Sequence, residues 1–127
     1  MGISMIMAVG AGGFFGAISR FLLSTAVQRI TGAAFPWGTL SVNILGSFLI
    51  GFLFLYFEQT IAPTQKALVV TGFLGALTTF STFSLETVLM LQNGLLVKAF
   101  TNVLLNATLC LVATLVGMMV FRRVVGV

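Results

Sequence analysis

A chain of 127 residues that is 59% hydrophobic and 6% charged, with a mean hydropathy of +1.19, cannot clothe a water-facing surface, since soluble domains carry roughly 25% charged residues. It reads as a single integral membrane domain embedded in a lipid bilayer, with little length left for a soluble one. The net charge of +4 comes from scattered bases, only Arg122 and Arg123 adjoining, which excludes a nucleic-acid patch; with no His, two acids (Glu58 and Glu86) and one Cys (Cys110), one chain supplies no histidine base, carboxylate pair or Cys/His metal cage, so no enzyme is expected.

The first apolar segment covers about residues 3–27 and ends near Gln28-Arg29. It has no basic leader and no small-residue cleavage site, so it is not a signal peptide. Gly12, Gly16, Ser19 and Arg20 share one helical face, and Gly12-x-x-x-Gly16 is a close-packing pattern. The glycines of residues 10–16 follow no strand and lack the spacing of a dinucleotide fingerprint. The second segment, about 37–57, opens after Phe35-Pro36-Trp37-Gly38 and carries Thr39, Asn43 and Ser47 at four-residue steps.

The third segment, about 67–92, contains the run TGFLGALTTFSTFS over residues 71–84. As a straight helix its length would reach about 39 Å against a hydrocarbon core of about 30 Å. Gly72, Gly75 and the Thr78-Thr79 pair form helix poorly, so a break is expected over residues 71–78, with helix resuming at about Thr79. Phe80, Phe83, Ser84 and Thr87 then share a face, and Thr79, Thr82 and Glu86 the adjacent one. Ring edges are electropositive and hydroxyls donate hydrogen bonds, a combination that suits a small anion. A cation path would call for rings of carboxylates. The alternative is aromatic packing with the hydroxyls bonded back to their own helix.

The fourth segment, about 99–121, follows Asn93-Gly94 and closes at Arg122-Arg123. Asn102, Asn106, Cys110 and Thr114 repeat the four-residue step. An unpaired amide in hydrocarbon costs several kcal/mol, so both stripes must meet partner groups, water or a solute. Cys110 reads as a small packed residue.

Four spans put both termini on one side, together with Lys66, Arg122 and Arg123. Arg29, Lys98 and a snorkelling Arg20 stand on the other, so the charge count gives no preferred orientation. Either the count is noise in a small chain, or the protein inserts both ways and pairs as an antiparallel two-fold dimer.

The stretch from Thr71 to Ser84, followed by Glu86-Thr87, closely resembles the third-helix signature of the Fluc (CrcB) fluoride channels. Pro36-Trp37-Gly38-Thr39-Leu40-Ser41-Val42-Asn43 and the run from Gly12 to Arg20 resemble that family's second- and first-helix motifs. The resemblance implies an all-α membrane protein of four transmembrane helices with the third broken near mid-span. It implies an antiparallel dual-topology homodimer with two pores, passing fluoride out across a bacterial cytoplasmic membrane and relieving its toxicity. Phe80 and Phe83 would line the pore, and Asn43 would sit at the inner end of a watery vestibule. Thr79, Ser81 and Thr82 would supply hydroxyls along the track, joined by Thr39 and Ser84. Arg20 would attract the anion near the vestibule and Glu86 would end the polar track. Gly75 and Thr78 would offer backbone carbonyls to a structural Na⁺ at the dimer interface. Ala76 stands where relatives often carry a second Gly. The fourth segment has Asn102, Asn106 and Cys110 where some relatives use Tyr and Ser; both amides are placed on the fluoride pathway. A small multidrug exporter also has four spans, but would want an acid where the first span has Arg20. A non-transporting assembly subunit would use the stripes only as glue.

Overall fold

Lipid offers no partner to backbone N–H and C=O groups, so each apolar segment must satisfy its own as helix. A computed structural model describes all residues, Met1–Val127. The helices are α1 (Ile3–Thr31), α2 (Trp37–Gln59), α3 (residues 63–77), α4 (Phe80–Gln92) and α5 (Leu96–Val125). α3 begins with the turn Pro63–Lys66, widens into a π-helical stretch over Ala67–Leu74 and tightens again at Gly75–Leu77. α3 and α4 together make one crossing, Pro63–Gln92, so four helical spans are long and apolar enough to traverse a membrane. The chain is an all-α, multi-pass membrane protein. The helices run past the apolar segments through polar ends such as Arg29 and Arg122-Arg123, which hydropathy does not register.

The third crossing breaks at Thr78 and Thr79, both in extended backbone (φ −87°, ψ 155° and φ −148°, ψ 113°). The break is therefore narrower than residues 71–78, and the glycines are not in it. Gly72 lies in the π-helical stretch, and Gly75 is right-handed helical. Two successive β-branched residues take the extended form instead, and their hydroxyls bond locally. Thr78 Oγ1 donates to the Leu74 carbonyl at 3.1 Å, and Thr79 Oγ1 caps α4 by accepting from the Thr82 N–H at 3.2 Å.

The glycines instead let backbones touch. A Cβ on Gly12 or Gly16 would collide with the carbonyls of Leu68 and Phe73, so α1 lies directly on α3. Likewise Gly51 faces the Thr114 carbonyl and Gly117 the Phe48 carbonyl, which locks α2 to α5. Their contacts run Asn43 to Asn106, Ser47 to Thr114 and Phe52 to Phe121, so the two helices are parallel. Of 127 residues only 23 are buried, which leaves most of the apolar surface for lipid or a partner. Asn102, at 1% exposure, is among the largest fully buried side chains, beside Leu40, Leu77 and Val42.

Candidate functional site

The break in the third crossing strips Thr79 of its helical partners, and Asn43 on α2 replaces them. The Thr79 N–H donates to Asn43 Oδ1 at 2.8 Å, and Asn43 Nδ2 donates to the Thr79 carbonyl at 3.2 Å. The amide thus pairs with the main chain as a neighbouring strand would. A buried backbone group left without a partner costs about 1–3 kcal/mol, so this clasp is what permits an extended turn at membrane depth.

Asn43 Nδ2 also donates to Asn106 Oδ1 at 3.2 Å. Asn106 Nδ2 donates to the carbonyl and Oδ1 of Asn102, at 2.9 and 3.0 Å. Asn102 Nδ2 donates to Thr87 Oγ1 at 3.0 Å, and Thr87 Oγ1 to the Phe83 carbonyl at 2.7 Å. The polar stripes of α2 and α5 therefore meet each other and the third crossing.

Beside the clasp lies a cavity of about 550 Å³, walled by Asn43, Gly75, Thr78, Thr79, Phe80, Phe83, Asn106 and Cys110 among others. Phe80 and Phe83 share it, ring centroids 5.3 Å apart and tilted by 60°. Phe80 is 78% exposed, a large apolar ring standing free at the rim. The first turn of α4 also opens here, and a helix N-terminus carries partial positive charge. Gly75 and Thr78 line the same wall. Because the Thr79 N–H is turned to Asn43, it makes no helical bond to the Gly75 carbonyl. Neutral carbonyls at such a break fit a hard, singly charged cation; no cluster of His, Cys, Asp or Glu stands by for a more demanding metal.

A second cavity, about 530 Å³, opens between the end of α1, the start of α2 and α4. Thr39, Thr82, Glu86, Arg29 and Gln28 line it. One Glu86 carboxylate oxygen is buried there without a hydrogen-bond partner. The two cavities are joined through hydroxyls. Thr79 Oγ1, in the first, donates to Thr82 Oγ1, in the second, at 3.0 Å and lies 3.3 Å from Ser81 Oγ.

Twelve residues were expected along one path, and they divide. Phe80, Phe83, Asn43, Thr79 and Asn106 gather at the first cavity; Thr39, Thr82 and Glu86 gather at the second. Ser81 adjoins the hydroxyl link. Arg20, Ser84 and Asn102 line neither cavity. The Ser84 hydroxyl is spent on the Phe80 carbonyl at 2.9 Å, and Asn102 is enclosed within the amide relay. Gln28 escaped the sequence reading, where it only marked the end of a span. Its amide donates to the Phe35 carbonyl at 2.9 Å and accepts from the Gly38 N–H at 3.1 Å, fastening the α1–α2 loop over the second cavity. A Gln at a helix end beside a short loop bounded by Gly32 and Pro36 was the available signal.

The family model described as "CrcB-like protein, Camphor Resistance (CrcB)" matches residues 7–118. A "Fluoride-specific ion channel FluC" of a Sulfurovum species is 66% identical over 122 residues, covering 96% of this chain and 97% of that relative. Proteins of the same name from a Nitratiruptor species and from Campylobacter lari are 60% and 50% identical, covering 99% and 94% of this chain and 98% and 99% of their own.

Proposed function

Because the chain belongs to the CrcB family, we propose that it is a fluoride-selective channel that lets the ion leave the cell passively across the cytoplasmic membrane. The observation that carries the reading is that the Phe80–Phe83 ring pair and Thr79 line one cavity, free of charged side chains, and that the Thr79 hydroxyl links it to Thr82 in the next. Fluoride is small and strongly hydrated, so a path must replace water with donors yet release the ion. Hydroxyls, ring edges and the α4 N-terminus are neutral or partial donors of graded strength. A buried Lys or Arg at that point would hold the anion too deeply. Glu86 belongs at the end of the track, where Arg29 and the hydroxyls of Thr39 and Thr82 share its cavity.

The working unit on this reading is an antiparallel homodimer, each of its two pores lined by both copies. What supports this reading is that Phe80 stands exposed beside the open side of the first cavity, an apolar surface that a second copy would cover. The carbonyls of Gly75 and Thr78 would hold a structural Na⁺ on the dimer axis, which would fix the break and add no chemistry of its own. Fluoride export would relieve toxicity inside the cell.

The test is efflux from liposomes holding the purified protein, followed with a fluoride electrode and with chloride as the control. Rapid fluoride release with chloride retained is expected. No fluoride release, or equal release of both ions, would overturn the reading, and release only with a co-purifying partner would favour an assembly subunit.

A further inference from the structure

Both N–H bonds of the Asn43 amide are already committed, one to the Thr79 carbonyl and one to Asn106 Oδ1. Both of Asn106 are committed to Asn102. The direction of every amide in this relay is dictated by fixed groups at its ends. Thr79 offers one N–H and one C=O, so Asn43 can face it only with oxygen to the N–H and nitrogen to the C=O. Asn106 must then turn its oxygen to Asn43, and its nitrogen falls on two acceptors, the Asn102 carbonyl and Oδ1. Asn102 is left pointing nitrogen at Thr87, whose hydrogen goes to the Phe83 carbonyl. One flipped amide would set donor against donor or acceptor against acceptor among groups of which Thr79, Asn102 and Asn106 are buried.

We propose that Asn106, Asn102 and Thr87 form a polarised relay that positions the pore instead of touching the ion. It holds Asn43 in the single orientation that clasps Thr79, and it anchors the same α4 turn that carries Phe83. The relay ties both ends of the ring-and-hydroxyl segment, Thr79 and Phe83, to α5. Thr79 spends its one hydroxyl hydrogen on Thr82, so the ion's donors at this level are the hydroxyls of Thr82 and Ser81 with the ring edges, and the committed amides are withheld from it. This rests on the fluoride-channel reading for its readout, though the relay itself is a feature of the fold.

The experiment is a double-mutant cycle on single-channel fluoride current, which does not depend on how many channels fold. Asn43→Ala and Asn106→Leu are each expected to lower the current about fivefold to tenfold, the scale of one net hydrogen bond. Because Asn106 acts through Asn43, the double variant should match Asn43→Ala alone to within about twofold. Amide exchange at Thr79 should quicken in Asn106→Leu. Multiplying reductions, or unchanged Thr79 exchange, would overturn the proposal in favour of a direct ion contact. If Asn106→Leu does not fold, Thr87→Val, which removes the acceptor for Asn102 Nδ2 at the far end, takes its place in the same cycle with the same outcomes. A wild-type protein without fluoride current would instead sink the channel reading and leave the Thr79 exchange test of the relay standing.

Discussion

Phe83 and Phe80 lie side by side but in different settings, the first half-buried in the cavity wall and the second exposed at its rim. Isoleucine is apolar and occupies much of the same space but has no electropositive edge, so Phe80→Ile and Phe83→Ile should each cut fluoride current by about tenfold or more with the fold intact. Unchanged current in the double variant would remove the rings from the path. The hydroxyls should separate as sharply. Thr82→Val breaks the link from Thr79 and should lower flux several-fold, roughly as one lost hydrogen bond would. Ser84→Ala should leave flux within about twofold, because that hydroxyl is bonded to its own helix. The density of rings and hydroxyls in residues 71–84 was legible in the sequence. Which hydroxyls face a cavity was not, since Ser84 and Thr82 differ only in what stands opposite. Nor could the sequence announce that Asn43 serves the backbone of Thr79, a partner 36 positions away.

At the level of helices, hydropathy marked the four spans because lipid enforces helix wherever the chain is apolar. Propensity marked the break more broadly than it is. Of Gly72, Gly75 and the Thr78-Thr79 pair only the threonines leave the helix, while Gly72 serves backbone contact with α1, as Gly51 and Gly117 do between α2 and α5. Gly51→Val or Gly117→Val drives a side chain into a carbonyl of the facing helix and should destabilise by about 1–3 kcal/mol or more, as overpacking does. A thermal melt in detergent reads it: melting close to the wild type in both variants would show that α2 and α5 can separate at no cost.

For the whole molecule, a chain with 23 buried residues of 127 is mostly surface, and its balanced loop charges do not choose a side of the membrane. If two orientations must meet in one channel, biasing either should disable it. Ala34→Lys with Asn93→Lys adds positive charge at the loops beside Arg29 and Lys98, and Ala62→Lys with Gln65→Lys adds it beside Lys66. Each pair expressed alone should lose fluoride efflux, and the two expressed together should regain it. Full efflux from either one alone would rule out a two-way dimer.

The wide turns of Ala67–Leu74 set a limit on how this gene can drift. Apolar residues there can be exchanged for one another, since lipid and α1 ask only for shape and greasiness. Their number is another matter. Losing a single residue would let the stretch tighten toward an ordinary α-helix, whose larger rotation per residue takes up most of the missing turn, whereas gaining one would swing everything after it by up to about 100° around the axis. Thr79 would in that case face away from Asn43, and the rings would leave the cavity. Gly72 apart, where a side chain would meet the Val9 carbonyl, these positions should accept many spellings and should tolerate a one-codon loss far better than a one-codon gain.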